Sequence, residues 1–246
     1  FGRFATIIIS VILAIYVFIW SKQLYGVLAG FLALILYVLD PNIIGHSRII
    51  TQDLFGAASI FIAVYYFWSF LRFGGRKNLV LSILTFGIAQ ICRLTAVYLV
   101  PIYVILSLGF YHQEIIQSIQ TKNISVIQRV IKRSIFYILA LILATTLIIN
   151  IGYSFERSGT QLADYQFLSH SFKQLQTYPV LKSLSIPIPA AYLQALDFGK
   201  YKQETGFGSG MPYLLGQLGF IVDPVKGFQI KGFPQYFLIA FLYKVP

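Results

Sequence analysis

The chain alternates long runs of apolar residues with short polar interruptions. Six runs stand out, Phe4–Trp20, Tyr25–Leu39, Leu54–Leu71, Leu79–Ile91, Ala96–Phe110 and Ile135–Ile151, and a seventh begins near Phe233. A helix that crosses a membrane needs about 20 mostly apolar residues, within a range of roughly 17–25. The runs therefore predict spanning helices. Several are short, which suits broken or tilted helices packed among others better than isolated anchors. The pattern predicts an all-α polytopic membrane protein. It divides into a transmembrane helical core over residues 1–151, a loop segment over 152–232, and the start of a further transmembrane helix over 233–246.

Composition points the same way. The 246 residues are 57% hydrophobic and 17% aromatic, with 11% charged residues and a mean hydropathy of +0.75. An ordinary soluble domain carries about 25% charged residues. The net charge is +11, which in a soluble protein would suggest nucleic acid. Here the basic residues flank apolar runs, the pattern of topology signals and of anionic lipid headgroups, so membrane lipids are the expected partner and nucleic acid is not. Cys92 is the one cysteine, so no internal disulfide forms. The chain begins at Phe1 and ends beside an apolar run, and is read as the middle of a longer polytopic protein.

Threading the runs in order sorts the basic residues by side. One side receives Lys22, then Arg72, Arg76 and Lys77, then Lys122, Arg129, Lys132 and Arg133. The short connections of the other side hold only Arg48 and Arg93. By the excess of lysine and arginine, the first side is cytoplasmic. Residues 40–53 and the segment Gly152–Gly232 then lie outside. Gln113–Arg133 reads as one amphipathic connector helix, with Ile115, Ile116, Ile119, Ile124, Ile127 and Val130 at roughly helical spacing. The long outer segment, punctuated by Pro179, Pro187, Pro189 and Pro212, reads as short helices and ordered loops. Its glycine-rich stretch GFGSGMPYLLGQLGF lacks the Gly-Lys-Ser/Thr ending of a phosphate loop.

One interruption, DPNIIGHSRIITQD at residues 40–53, concentrates chemistry. It carries Asp40, His46, Arg48 and Asp53 in a chain with only 8 acidic residues and 3 histidines. Part of this has a purely structural reading. Asp40-Pro41-Asn42 is a helix stop and turn, and Thr51 or Asp53 caps the helix that follows. Against that, the stretch offers carboxylate, imidazole and guanidinium together, and Arg93 occupies the other short connection of the same side. Arginine there faces a protein interior or an aqueous pocket more often than lipid. Its guanidinium is suited to grip a phosphate with two hydrogen bonds. These groups fit a lipid-linked phosphate substrate at the outer face. His46, His112 and His170 show no metal-ligand spacing, and no Gly-x-Ser-x-Gly elbow is present. No metal site and no cofactor are expected. Tyr65, Tyr66, Phe67 and Trp68 read as an interfacial aromatic belt at the inner end of their span.

The stretch DPNIIGHSRIITQD, followed by LFGAASIFIAVYYFWSFLRF, resembles a motif of membrane glycosyltransferases, the protein O-mannosyltransferases and the bacterial aminoarabinose transferases that modify lipid A. GIAQICRLTAVYLVPIY resembles the family's short helix, basic residue and returning helix, with Arg93 where lysine is common. The stretches SIPIPAAYLQALDFGKYKQETGFGSGMPYLLGQLGF and GFPQYFLIAFLYKVP resemble the outer segment of bacterial members. Departures are Gln217 for a usual glutamate, Gln235 for an aromatic and Val245 for threonine. The family's acidic pair in the first outer loop would fall upstream of Phe1.

The resemblance implies a GT-C type transmembrane helical bundle with an outward-facing active site, in a bacterial inner or plasma membrane. The donor would be a sugar on a polyprenyl or dolichyl phosphate, and the acceptor a hydroxyl of a protein or glycolipid, with inversion at the anomeric carbon. Asp53 matches the second acidic position, contacting the acceptor or orienting the site. Arg93 would hold the phosphate. His46 and Arg48 would shape that pocket or anchor the loop. Two other classes stay open, a transporter or flippase of lipid-linked or anionic substrates, and a non-catalytic component of a glycan assembly complex.

Overall fold

The computed structural model describes residues 2–49, 51–120, 124–205, 213–223, 227–230 and 233–244. The chain forms two compact units, Phe1–Glu156 and Arg157–Pro246. The first unit is helical. In order it contains α1 (Gly2–Tyr25), α2 (Val27–Leu39), α3 (Pro41–Arg48), α4 (Gln52–Phe73), α5 (Arg76–Cys92), a 3₁₀ turn (Leu94–Tyr98), α6 (Leu99–Gln120) and α7 (Ile124–Gly152).

Four stretches among the described residues are long and apolar enough to cross a membrane: Arg3–Tyr25, Gln52–Phe73, Leu94–Gln113 and Val130–Gly152. The pair α2 and α3, bent by 58°, makes a fifth if it counts as one span. The apolar run Leu79–Ile91 forms α5, which has 17 residues and sits at the short limit for spanning. The chain is an all-α, multi-pass membrane protein.

Helix α4 is the hub, packed against α1, α5 and α6, while α5 packs in turn against α7. The core holds Ala63, Phe67 and Phe70 of α4, Phe86 of α5, Leu99 and Tyr103 of α6 and Tyr137 of α7. Leu28, Leu36 and Leu143 point outward, as residues facing hydrocarbon do. Lipid offers no hydrophobic drive to pull helices together, so close backbone approach and buried hydrogen bonds must do it. Both occur here. A Cβ on Gly87 of α5 would lie 2.5 Å from Ile148 Cδ1 of α7. The Tyr103 hydroxyl donates to the Ala63 carbonyl at 2.9 Å, and the Phe67 and Tyr103 rings stack with centroids 3.8 Å apart.

Three expectations change. The interruption at residues 40–53 is helical for most of its length, because Asp40 starts α3 as well as ending α2. Its carboxylate accepts from the amides of Asn42 at 2.7 Å and Ile43 at 3.1 Å, and Pro41 takes the first helical position, where no amide hydrogen is needed. The segment Gln113–Arg133 falls in two described helices. Residues up to Gln120 extend α6, those from Ile124 begin α7, and 121–123 lie outside the described residues. The Tyr65–Trp68 group is not a belt. Tyr65 and Phe67 are buried, Tyr65 against Tyr16 and Trp20 of α1 and Phe67 against Tyr103 and Tyr137.

The second unit contains a 3₁₀ turn (Leu162–Asp164), α8 (His170–Leu175), α9 (Pro179–Lys182), α10 (Ala190–Thr205), β1 (Tyr213–Leu214), β2 (Gln217–Leu218), β3 (Phe220–Asp223), β4 (Gly227–Ile230) and α11 (Tyr236–Lys244). Strands β1 and β2 form one antiparallel hairpin, and β3 and β4 another. Sequence reading anticipated the short helices but not the hairpins. The first closes through Leu215 and Gly216, both at positive φ. Residues 206–212 of the glycine-rich stretch lie outside the described residues. The run expected to start near Phe233 becomes α11.

A small core of Leu162, Tyr165, Phe167, Ala190 and Leu193 holds this unit. Two carboxylates of α10, two turns apart, clamp the start of α8. Buried Asp197 accepts from the Leu168 amide at 2.7 Å and the Ser169 hydroxyl at 2.6 Å. Glu204 accepts from the His170 amide at 2.7 Å and the Ser171 hydroxyl at 2.6 Å. The Ser171 hydroxyl and the His170 and Ser171 amides lower the Glu204 pKa from its ordinary value.

Two outcomes are expected. Gly87→Leu drives a side chain into Ile148 and lowers stability by about 1–3 kcal/mol, seen as a lower melting temperature in detergent. For Glu204 the folded pKa is below the unfolded one, so its stabilisation is present at neutral pH and lost as pH falls through the folded value. Glu204→Gln should therefore lower the melting temperature at pH 7, with the gap from wild type closing on acidification. A gap that is constant across that range would contradict this.

Candidate active site

The site forms where α4 begins and α5 ends. Thr51 is the N-cap of α4, which places Asp53 in its first turn. The helix dipole favours a carboxylate there by about 0.3–1 kcal/mol. Arg93 ends α5 in an extended conformation and starts the 3₁₀ turn. Its backbone amide donates to the Ala89 carbonyl at 3.0 Å, and its carbonyl accepts from the Ala96 amide at 2.9 Å. Buried Gln90 sends Nε2 to the Ala96 carbonyl at 3.0 Å, tying the end of α5 to the turn that follows it.

From that fixed backbone the Arg93 side chain crosses to α4. Its Nη1 donates to Asp53 Oδ1 in a charge-assisted pair. Its aliphatic part lies on Gly56, one turn along α4, where an added Cβ would come 2.5 Å from Cδ and 3.2 Å from Cβ of Arg93. Glycine is what lets the arginine lie this close to the helix. The second Asp53 oxygen, Oδ2, faces His46 Nδ1 of α3 at 3.9 Å. The structure thus joins Asp53, Arg93 and His46 from three separate elements.

Arg48 is placed differently. It lies exposed in the last turn of α3, where the helix dipole favours a cation, and among the described residues it makes no ion pair. Asp40 spends its carboxylate on capping α3. Gly56 and Gln90 were not singled out from sequence. The signals were an amide inside the apolar α5 and a glycine one turn after Asp53.

The three grouped side chains are part-open: His46, Asp53 and Arg93 are 47%, 48% and 37% exposed. A ligand therefore reaches them without rearrangement of the bundle. A guanidinium has five N–H donors in a planar fork, and one serves Asp53, so others remain for an anionic oxygen. Asp53 keeps Oδ2 as an acceptor for a hydroxyl. Anion grip and hydroxyl acceptor side by side, at the rim of a membrane helix bundle, suit transfer of a group from a phosphate to an alcohol. Among the described residues no group of three His, Cys, Asp or Glu side chains converges.

A family model described as dolichyl-phosphate-mannose-protein mannosyltransferase matches residues 2–153, the whole helical region that carries this site. That is more than half of the chain, and the chain belongs to this family. It is a membrane glycosyltransferase of GT-C type, acting with a lipid-linked sugar donor and an acceptor substrate. No curated protein and no solved structure matches it.

Gly56→Ala tests the geometry without removing any charged group. It forces Arg93 off α4, and a displacement of about 1 Å at a positioned group costs on the order of 10²-fold in rate. Glycosyl transfer should fall by that order. Gly109→Ala, at a position with nothing near the added carbon, should leave it unchanged.

Proposed function

We propose that this member of the dolichyl-phosphate-mannose-protein mannosyltransferase family transfers a hexose, mannose-like, from a polyprenyl-phosphate or dolichyl-phosphate carrier to a hydroxyl of a protein or glycolipid. The reaction takes place at the outer membrane face. The observation that carries this reading is the Arg93–Asp53 pair, laid across Gly56 at one rim of the bundle.

The acceptor oxygen attacks the anomeric carbon from the face opposite the phosphate. As the new C–O bond forms, the bond to the lipid phosphate breaks and its electron pair stays on the phosphate oxygen. Configuration at the anomeric carbon inverts. Charge gathers on the leaving phosphate, so a guanidinium already in place stabilises the transition state more than the ground state. Arg93 fills that role, and Asp53 Oδ1 holds its fork in position. Asp53 Oδ2 receives a hydrogen bond from the acceptor hydroxyl and orients it. The proton leaves to the first-loop carboxylate that the resemblance implies, with Asp53 as the second acid of the site. His46 adds positive potential beside Oδ2 when protonated, and Arg48 lies further along the same rim. Basic residues support this side assignment: Lys22 and Arg72 lie in the last turns of α1 and α4, Arg76 starts α5 and Arg133 lies near the start of its span, all at helix ends opposite that of Asp53.

The full protein in vesicles, supplied with a radiolabelled polyprenyl-phosphate hexose and a hydroxyl acceptor, tests this. Arg93→Ala should cut transfer on the order of 10²–10³-fold, the worth of an electrostatic donor at a developing charge. Arg93→Lys should recover part of it, and Asp53→Asn should also be severely slowed. Wild-type rates in both Arg93→Ala and Asp53→Asn would overturn the site. Counterflow of the lipid-linked sugar with no bond cleavage would overturn the reaction in favour of transport.

A further inference from the structure

Helices α6 and α7 leave between them a cavity of about 570 Å³, floored by α4 and α5. Ligand pockets usually measure about 300–1,000 Å³. Its floor is aromatic, with buried Phe67, Phe86 and Tyr103, and its rim is aliphatic, with outward-facing Val104, Leu108 and Ile142. The lining is mostly apolar, with Ser107, Ser134, Thr145 and Thr146 among it, and one end carries a cation. There Arg133 of α7 sets its guanidinium over the Phe70 ring, 4.9 Å from the centroid.

Position along the helices identifies the occupant. Arg133 lies near the start of the span Val130–Gly152, Tyr111 near the end of Leu94–Gln113 and Leu71 near the end of Gln52–Phe73. All three mark one boundary of the apolar region, opposite Asp53 and Arg93. From Arg133 the groove runs along α7 to Thr145 and Thr146, about 18 Å at 1.5 Å per residue. Half of the roughly 30 Å hydrocarbon core is about 15 Å. The groove is therefore about one leaflet deep, mostly apolar and cationic at its mouth. Arg72, Arg76 and Lys77 lie at the same boundary in the sequence, and among the described residues none of them, nor Arg133, pairs with a carboxylate.

We infer that this groove binds one acyl chain of an anionic phospholipid drawn from the leaflet on the Arg133 side, with its phosphate on Arg133. The ligand is distinct from the sugar donor, whose phosphate the proposed reaction places on Arg93 at the other end of α4; that distinction rests on the proposed function. Bound there, the lipid fills the gap between α6 and α7 and splints the bundle beneath the site.

The full chain, purified in detergent with equal amounts of phosphatidylglycerol and phosphatidylcholine, tests this by native mass spectrometry. Wild type should retain phosphatidylglycerol preferentially, by about fivefold, the worth of one basic residue against an anionic surface. Arg133→Gln should abolish the preference and Arg133→Lys should keep it. Ser107→Phe, which fills the groove but spares the cation, should reduce retention of both lipids. Arg76→Gln should change neither. An unchanged preference in Arg133→Gln overturns the proposal. So does retention in Ser107→Phe, or polyprenyl phosphate displacing phosphatidylglycerol from wild type but not from Arg133→Gln. Transfer lost in Arg93→Ala with lipid retention intact leaves both readings standing, so the two fail independently.

Discussion

In hydrocarbon every backbone and side-chain polar group must find its partner within the protein. That constraint orders the whole helical unit. In its middle, polar side chains are uncharged and several reach a neighbour, such as Tyr103 to the Ala63 carbonyl and Tyr137 to Ser82. Ionised side chains are left to the ends, where water reaches. An enzyme built this way has to make its charged chemistry at a rim, and the rim where α4 starts and α5 stops is where Asp53 and Arg93 meet.

The precision of that meeting comes from elements that carry no charge. Arg93 is a long side chain, costly to immobilise, with up to about 2 kcal/mol of rotamer entropy at stake. Three features reduce the freedom it has left to lose. Gln90 pins the turn it springs from, Gly56 gives its stem a surface to lie on, and Asp53 takes one hydrogen of its fork. A bound phosphate then meets a guanidinium already oriented, and less of its binding energy goes into ordering the site.

What could be read from sequence follows the same physics. The apolar runs announced the membrane because twenty residues of hydrocarbon serve few other purposes. Asp53 and Arg93 were conspicuous because ionisable groups beside such runs are rare. Other features were hidden for physical reasons. Asp40-Pro41 signals the start of a helix as strongly as a stop, and only the structure shows that it is both. In a spanning helix both faces are apolar, so the sequence period that tells core from surface fades, and Phe67, stacked on Tyr103, could not be told from a residue facing lipid. Gly56 had no signal of its own, since its role is to be empty beneath the side chain of Arg93, which is distant in the chain. The hairpin at Tyr213–Leu218 was obscured by its run of leucines, which hides the alternation of a strand.

The two ends of the bundle differ in kind. At the Asp53 end the arginine has a carboxylate partner, so the resting site carries its own counter-charge. A phosphate on the remaining donors of the fork would share the guanidinium with Asp53, so the cation would hold it less tightly than an unpaired one would. At the other end Arg133 lies over the face of Phe70, which attracts a cation without neutralising it, and among the described residues it pairs with no carboxylate. An anion settling there would meet no carboxylate rival among the described residues. Turnover calls for the first arrangement and a resident lipid for the second. Helix α4, about 33 Å long at 1.5 Å per residue over its 22 residues, keeps the two proposed phosphate sites apart, so a lipid held at one would not occlude the other.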